Sequence, residues 1–122
     1  MTYDEFNDFC ASLKHTTHVI QWGGSDVWKI GGKVFAIGGW NDGESPAYTF
    51  KVSRISFEIL KEKPGLRGAP YLASRGMSWI QHYGEPGLCE AELKDYLKES
   101  YRLVSIGLTK KKQRELGLNE DL

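Results

Sequence analysis

Two glycines, Gly31 and Gly32, stand between VWKI and KVFAI, and no other feature constrains the fold as strongly. Glycine takes positive φ without steric penalty, so a two-residue loop of this kind closes a type I′ or II′ turn between antiparallel strands. The hairpin fixes register, because a slip of one residue would turn every side chain to the opposite face. Ahead of it, His18 to Trp22 reads as a strand, followed by the turn Gly23-Gly24-Ser25-Asp26 and the strand Val27 to Ile30. Beyond it, the polar connection Asn41 to Pro46 leads to a strand over Ala47 to Val52, rich in β-branched and aromatic residues. These segments predict an antiparallel meander.

Helical signals flank the meander. Thr2 and Glu5 have the spacing of a capping box, and Phe6, Phe9, Cys10 and Leu13 fall on one face of a helix over Tyr3 to Leu13. Ser53 is placed to cap a second helix with Ile55, Ile59 and Leu60 on its apolar side, stopped by Pro64-Gly65. After the connection PGLRGAPYLASRG, Met77 to Tyr83 reads as a strand centred on Trp79, and Gly84 to Gly87 as a turn. Cys89 to Ile106 then forms a long helix with Leu93, Leu97, Tyr101 and Val104 at helical spacing. A last short helix, Thr109 to Leu116, stops at Gly117, and the residues after it are expected to fray. This order predicts an α+β fold: one two-layer domain over residues 1–122, with an antiparallel sheet of about five strands packed on N- and C-terminal helices. Trp79 is expected between the sheet and the long helix, facing Leu93, Leu97 and Val104.

Composition narrows the function classes. With 40% hydrophobic and 26% charged residues in 122, the chain has enough apolar surface to fold alone. Sixteen basic residues balance sixteen acidic ones, so any pull toward an anionic partner must come from a local patch. Such asymmetry exists: Lys51 to His82 carries six Lys or Arg against two acids, and Arg102 to Arg114 carries five with none. The start, MTYDEFNDFC, lacks the basic and apolar segments of a secretory signal, and no apolar run reaches the roughly 20 residues that cross a bilayer. A cytoplasmic monomer away from membranes is the expectation, with Cys10 and Cys89 as reduced thiols acting as small hydrophobes.

No G-x-S-x-G elbow, P-loop, dinucleotide fingerprint, H-E-x-x-H or C-x-x-C occurs. The sequence therefore nominates no catalytic residue, no metal ligand set and no cofactor, and the expectation is a non-enzymatic protein. His15 and His18 are too few for a metal centre and read as surface residues, while His82 beside Trp79 reads as structural. Trp22, Trp28, Trp40 and Trp79 read as core or half-buried packing residues of the sheet rather than as a stacking platform.

Three stretches, WKIGGKVFAI at Trp28 to Ile37, PGLRGAPYL at Pro64 to Leu72 leading to Trp79, and SYRLVSIGLTKK at Ser100 to Lys111, resemble the YjbR family, also called MmcQ-like, of small bacterial proteins. The resemblance implies a compact frataxin-like α+β fold and a DNA-binding role through a double wing of β-hairpins. Asp4, Glu5 and Asp8 are too few for the acidic first helix that frataxin-like iron binding would need.

Two functional readings follow. In the first, Lys51, Arg54, Arg67, Arg75, Lys110, Lys111, Lys112 and Arg114 neutralise backbone phosphates of double-stranded DNA, with nothing to specify base readout. In the second, the sheet face and the Pro64 to Trp79 connection form a pocket for a small molecule or peptide, with Tyr71 and Trp79 as walls and Lys51 or Arg75 orienting an anion.

Overall fold

The capping box at Thr2 forms as read: its hydroxyl accepts from the Glu5 N–H while the Glu5 carboxylate accepts from the Thr2 N–H. Helix α1 (Tyr3–Ser12) follows and buries Phe6 and Cys10. In this computed structural model, which describes residues 1–41, 43 and 45–119, the strands are β1 (Thr16–Gln21), β2 (Ser25–Ile30), β3 (Lys33–Gly38), β4 (Tyr48–Lys51), β5 (Leu66–Gly68) and β6 (Trp79–His82). They make one antiparallel sheet in the order β1-β2-β3-β4-β6-β5. The Gly31-Gly32 hairpin pairs Ile30 with Lys33, and a Cβ on Gly31 would stand 2.6 Å from Leu108 Cδ1.

The sheet has six strands rather than about five. Leu66–Gly68 lies in the stretch read as a connection, yet pairs with β6 through Leu66↔His82, Arg67↔Gln81 and Gly68↔Ile80. Three residues are too few to show a period of two, so no sequence pattern marked it. The apolar side of α2 (Arg54–Leu60) also differs. Ser53 caps it as expected, but Phe57 and Leu60 are buried while Ile55 and Ile59 are exposed.

Alternation gives the sheet two distinct faces. Phe50 and Ile80 point with Phe35 and Trp28 into a core closed by Phe6 and Cys10 of α1 and by Leu93 and Leu97 of α3 (Glu90–Ile106). Ser100 pins α3 to the sheet: its buried hydroxyl donates to the Phe35 carbonyl at 2.6 Å and accepts from the Lys51 N–H at 2.8 Å. On the other face, register aligns Ile37, Thr49, Gln81 and Arg67 across four strands.

Two further expectations change. Helix α4 (Lys110–Leu116) ends at Gly117 with φ 66°, but Leu118 is buried in the core and the Asn119 amide donates to Gln113 at 2.9 Å, so the expected frayed tail is packed at its start. Its remainder, residues 120–122, and Asp42 and Glu44 of the Asn41 to Pro46 connection lie outside the described residues. Cys10 is buried, but Cys89 is exposed at the N-cap of α3 and not a small hydrophobe of the core. Among the described residues no helix is long and apolar enough to cross a membrane.

Candidate ligand cleft and its aromatic ridge

Three aromatic residues leave the strands in the left-handed conformation. Trp22 follows β1 with φ 49°, Trp40 follows β3 with φ 63°, and Tyr71 follows β5 with φ 68°. A bulky non-glycine residue at positive φ is an outlier, and such geometry costs about 1–3 kcal/mol each unless its surroundings hold it. Here each carbonyl is held by a side chain. Ser25 Oγ donates to the Trp22 oxygen at 3.1 Å, Gln81 Nε2 to the Trp40 oxygen at 3.0 Å, and Ser74 Oγ to the Tyr71 oxygen at 2.9 Å. The result is a row of rings, with Trp40 in the middle at 6.0 Å from Trp22 and 6.1 Å from Tyr71 between centroids.

This ridge crosses the second face of the sheet and divides it into two clefts. The larger, about 630 Å³, is walled by Trp79, Ile37, Val34, Leu72, Met77 and the end of α3 at Leu103 and Val104. Lys33, Lys51 and Arg75 also line it, and none of the three pairs with an acid among the described residues. The smaller, about 340 Å³, lies beyond the ridge, lined by Gly23, Ser25, Asn41, Arg67 and Pro70. Arg67 donates from Nε at 2.9 Å and Nη2 at 2.7 Å to one oxygen of the buried Gln81 amide, and its guanidinium lies 4.6 Å from the Tyr83 ring centroid.

Lys51, Tyr71, Arg75 and Trp79, the four residues of the pocket reading, all line the larger cleft. The eight basic residues of the DNA reading are not gathered. Lys51 and Arg75 are in the larger cleft and Arg67 in the smaller, whereas Arg54 sits on α2, 3.7 Å from Glu58. Lys110, Lys111, Lys112 and Arg114 are exposed along α4 and line neither cleft.

Two readings of the aromatics are corrected. Trp28 and Trp79 are buried and Trp40 is half-buried, as read, but Trp22 is 51% exposed, and Trp22 and Trp40 form the ridge instead of the core. Trp79 is buried as expected, yet it projects from β6 on the side opposite Ile80, so it stands with Leu103 and Val104 at the cleft and apart from Leu93 and Leu97. Lys33, Gln81 and the hydroxyls of Ser25 and Ser74 were not foreseen, since a strand-start lysine and isolated serines carry no pattern.

An α+β domain with one open antiparallel sheet, helices on one face and a cleft on the other, is the class these features define. A family model described as YjbR matches residues 11–103, and the chain belongs to the YjbR family. Solved structures share its fold, two of them as follows. The crystal structure of protein DR2400 from Deinococcus radiodurans, described with a DUF419 domain, is 22% identical with a TM-score of 0.83, covering 99% of this chain and 91% of that one. A protein from Pseudomonas syringae is 19% identical with a TM-score of 0.68, covering 84% of this chain and 98% of that one. None of the curated proteins matches the sequence.

Proposed function

We propose that this protein is a non-enzymatic binding module whose larger cleft takes a small organic anion with a flat apolar body. The observation that carries this is the convergence of Lys33, Lys51 and Arg75, unpaired among the described residues, on an apolar cleft bounded by an exposed aromatic ridge. Few convergent polar groups on apolar walls are the usual make-up of a small-molecule site. The titratable groups of the described lining are Lys33, Lys51, Tyr71 and Arg75, a cationic set suited to holding an anion. The test is a titration with naphthoate, followed by tryptophan fluorescence. Binding should be saturable, and Lys51→Ala should weaken it about tenfold or more, since a hydrogen bond to a charged group contributes about 1.5–3 kcal/mol and 1.4 kcal/mol is tenfold. Absence of any saturable change, or a Lys51→Ala variant that binds equally well, overturns it.

A second reading, contact with double-stranded DNA, is favoured by one observation: Lys110, Lys111, Lys112 and Arg114 are exposed on the single short helix α4. These cations would position a duplex through its phosphates without reading bases.

A further inference from the structure

The smaller cleft contains a cation that meets no acid among the described residues. Arg67 forms no ion pair among the described residues, and the group it binds, the Gln81 side-chain oxygen, is neutral. A guanidinium has five N–H donors. Two are used on Gln81, which leaves three for something else. Gln81 on one side and the Tyr83 ring beneath fix the plane of the group, so it is pre-organised for the two-pronged hydrogen bonding that carboxylate and phosphate oxygens accept.

Its position relative to the ridge decides what it serves. Trp22, Trp40 and Tyr71 line both clefts, so the cleft holding Lys33, Lys51 and Arg75 and the cleft holding Arg67 share a wall three rings long. Trp22 and Tyr71, at 51% and 73% exposed, stand at the two ends, and the less exposed Trp40 between them makes a saddle. A flat ring laid on that saddle presents one edge to each cleft. The link is also mechanical, because the Gln81 amide that accepts from Arg67 donates to the Trp40 carbonyl.

We propose that Arg67 forms a second anion subsite for the same ligand. Resting on the cleft reading above, this makes the ligand class a flat-ringed dianion, with a carboxylate or phosphate at each end. One end meets Lys33, Lys51 and Arg75, the ring crosses Trp40, and the other end meets Arg67.

The experiment compares naphthoate with a naphthalene dicarboxylate whose acids lie at opposite ends, on the wild-type chain and on Arg67→Gln and Arg67→Lys. The diacid is expected to bind the wild type at least tenfold more tightly than the monoacid. Arg67→Gln should erase that gain, bringing the diacid to the affinity the same variant has for naphthoate, while Arg67→Lys should retain part of it. Equal affinities for the two acids on the wild type, with both still weakened by Lys51→Ala, overturn the second subsite and leave the cleft reading standing. Failure of both acids to bind the wild type overturns the two together. The wild-type comparison needs no variant to fold, and melting temperatures of the two Arg67 variants separate a lost subsite from a disturbed Gln81.

Discussion

His82 is the residue where burial most clearly governs charge. Its two ring nitrogens are enclosed, with no partner of good hydrogen-bond geometry among the described residues, and burial lowers its pKa below the ordinary 6.5. The unfolded chain therefore takes up this proton at higher pH than the folded one, so the contribution of neutral, half-buried His82 to stability is complete above about pH 6.5 and is lost as pH falls toward the depressed folded value. Urea unfolding between pH 7.5 and 5 should show this decline, and His82→Gln should flatten it; an unchanged slope would remove His82 as its source. At this scale the sequence was legible in its role but not in its setting. A histidine next to a strand tryptophan read as structural, yet nothing in QHYGEPG says that both nitrogens lose contact with water.

Among the elements, α3 does most to place the cleft, and it does so through Ser100. That hydroxyl joins the helix to β3 and β4 at once and holds the backbone of Lys51. Ser100→Ala would leave a buried Phe35 carbonyl and the Lys51 N–H without their partner, at a cost of about 1–3 kcal/mol. Denaturant titration should register that loss, together with weaker naphthoate binding as Lys51 gains freedom. The helices and the Gly31-Gly32 hairpin could be read ahead because each rests on local signals: caps, a period of 3.6, two glycines at positive φ. β5 could not, because three residues take their strand character from β6 across the sheet. The exposed Ile55 and Ile59 show the same limit. Their spacing suits an apolar face with Leu60, but the neighbours of α2 turned Phe57 inward beside Leu60 and left both isoleucines outside.

Over the whole molecule, the neutral net charge conceals an uneven arrangement. Arg54 and Lys61 pair with Glu58, Lys94 with Glu90, Arg102 with Glu99 and Lys112 with Glu115, all within single helices or their ends. Lys33, Lys51, Arg75 and Arg67 have no such partner among the described residues, and these four cations line the two clefts on either side of the ridge. Salt dependence separates the two functional readings. Neutralising about four DNA phosphates would give a slope of log K against log salt near −3.6, whereas an organic monoanion should show a slope no steeper than about −1, in keeping with the screening of a single partly exposed charge. Of the four residues of the pocket reading, Tyr71, Arg75 and Trp79 lie in sequence on or beside one connection, and Lys51 on the strand that pairs with Trp79. The ridge was not legible, because Trp22, Trp40 and Tyr71 lie on three separate loops and meet only when β1, β3 and β5 are assembled into one sheet.

The left-handed backbone at Tyr71 implies a conflict between robustness and use. A chain selected only to endure heat would place asparagine or glycine there, since both tolerate positive φ and the phenol ring, 73% exposed, gives little burial in return. Tyr71→Asn should therefore raise the melting temperature, by an amount that corresponds to about 1 kcal/mol of relieved strain, while naphthoate affinity falls. A thermal scan and one titration on that variant test it, and a lower melting temperature would show that Tyr71 is kept for the fold. If stability rises as binding fades, the tyrosine is retained against the interest of the folded state, which is the mark that selection leaves on a working surface.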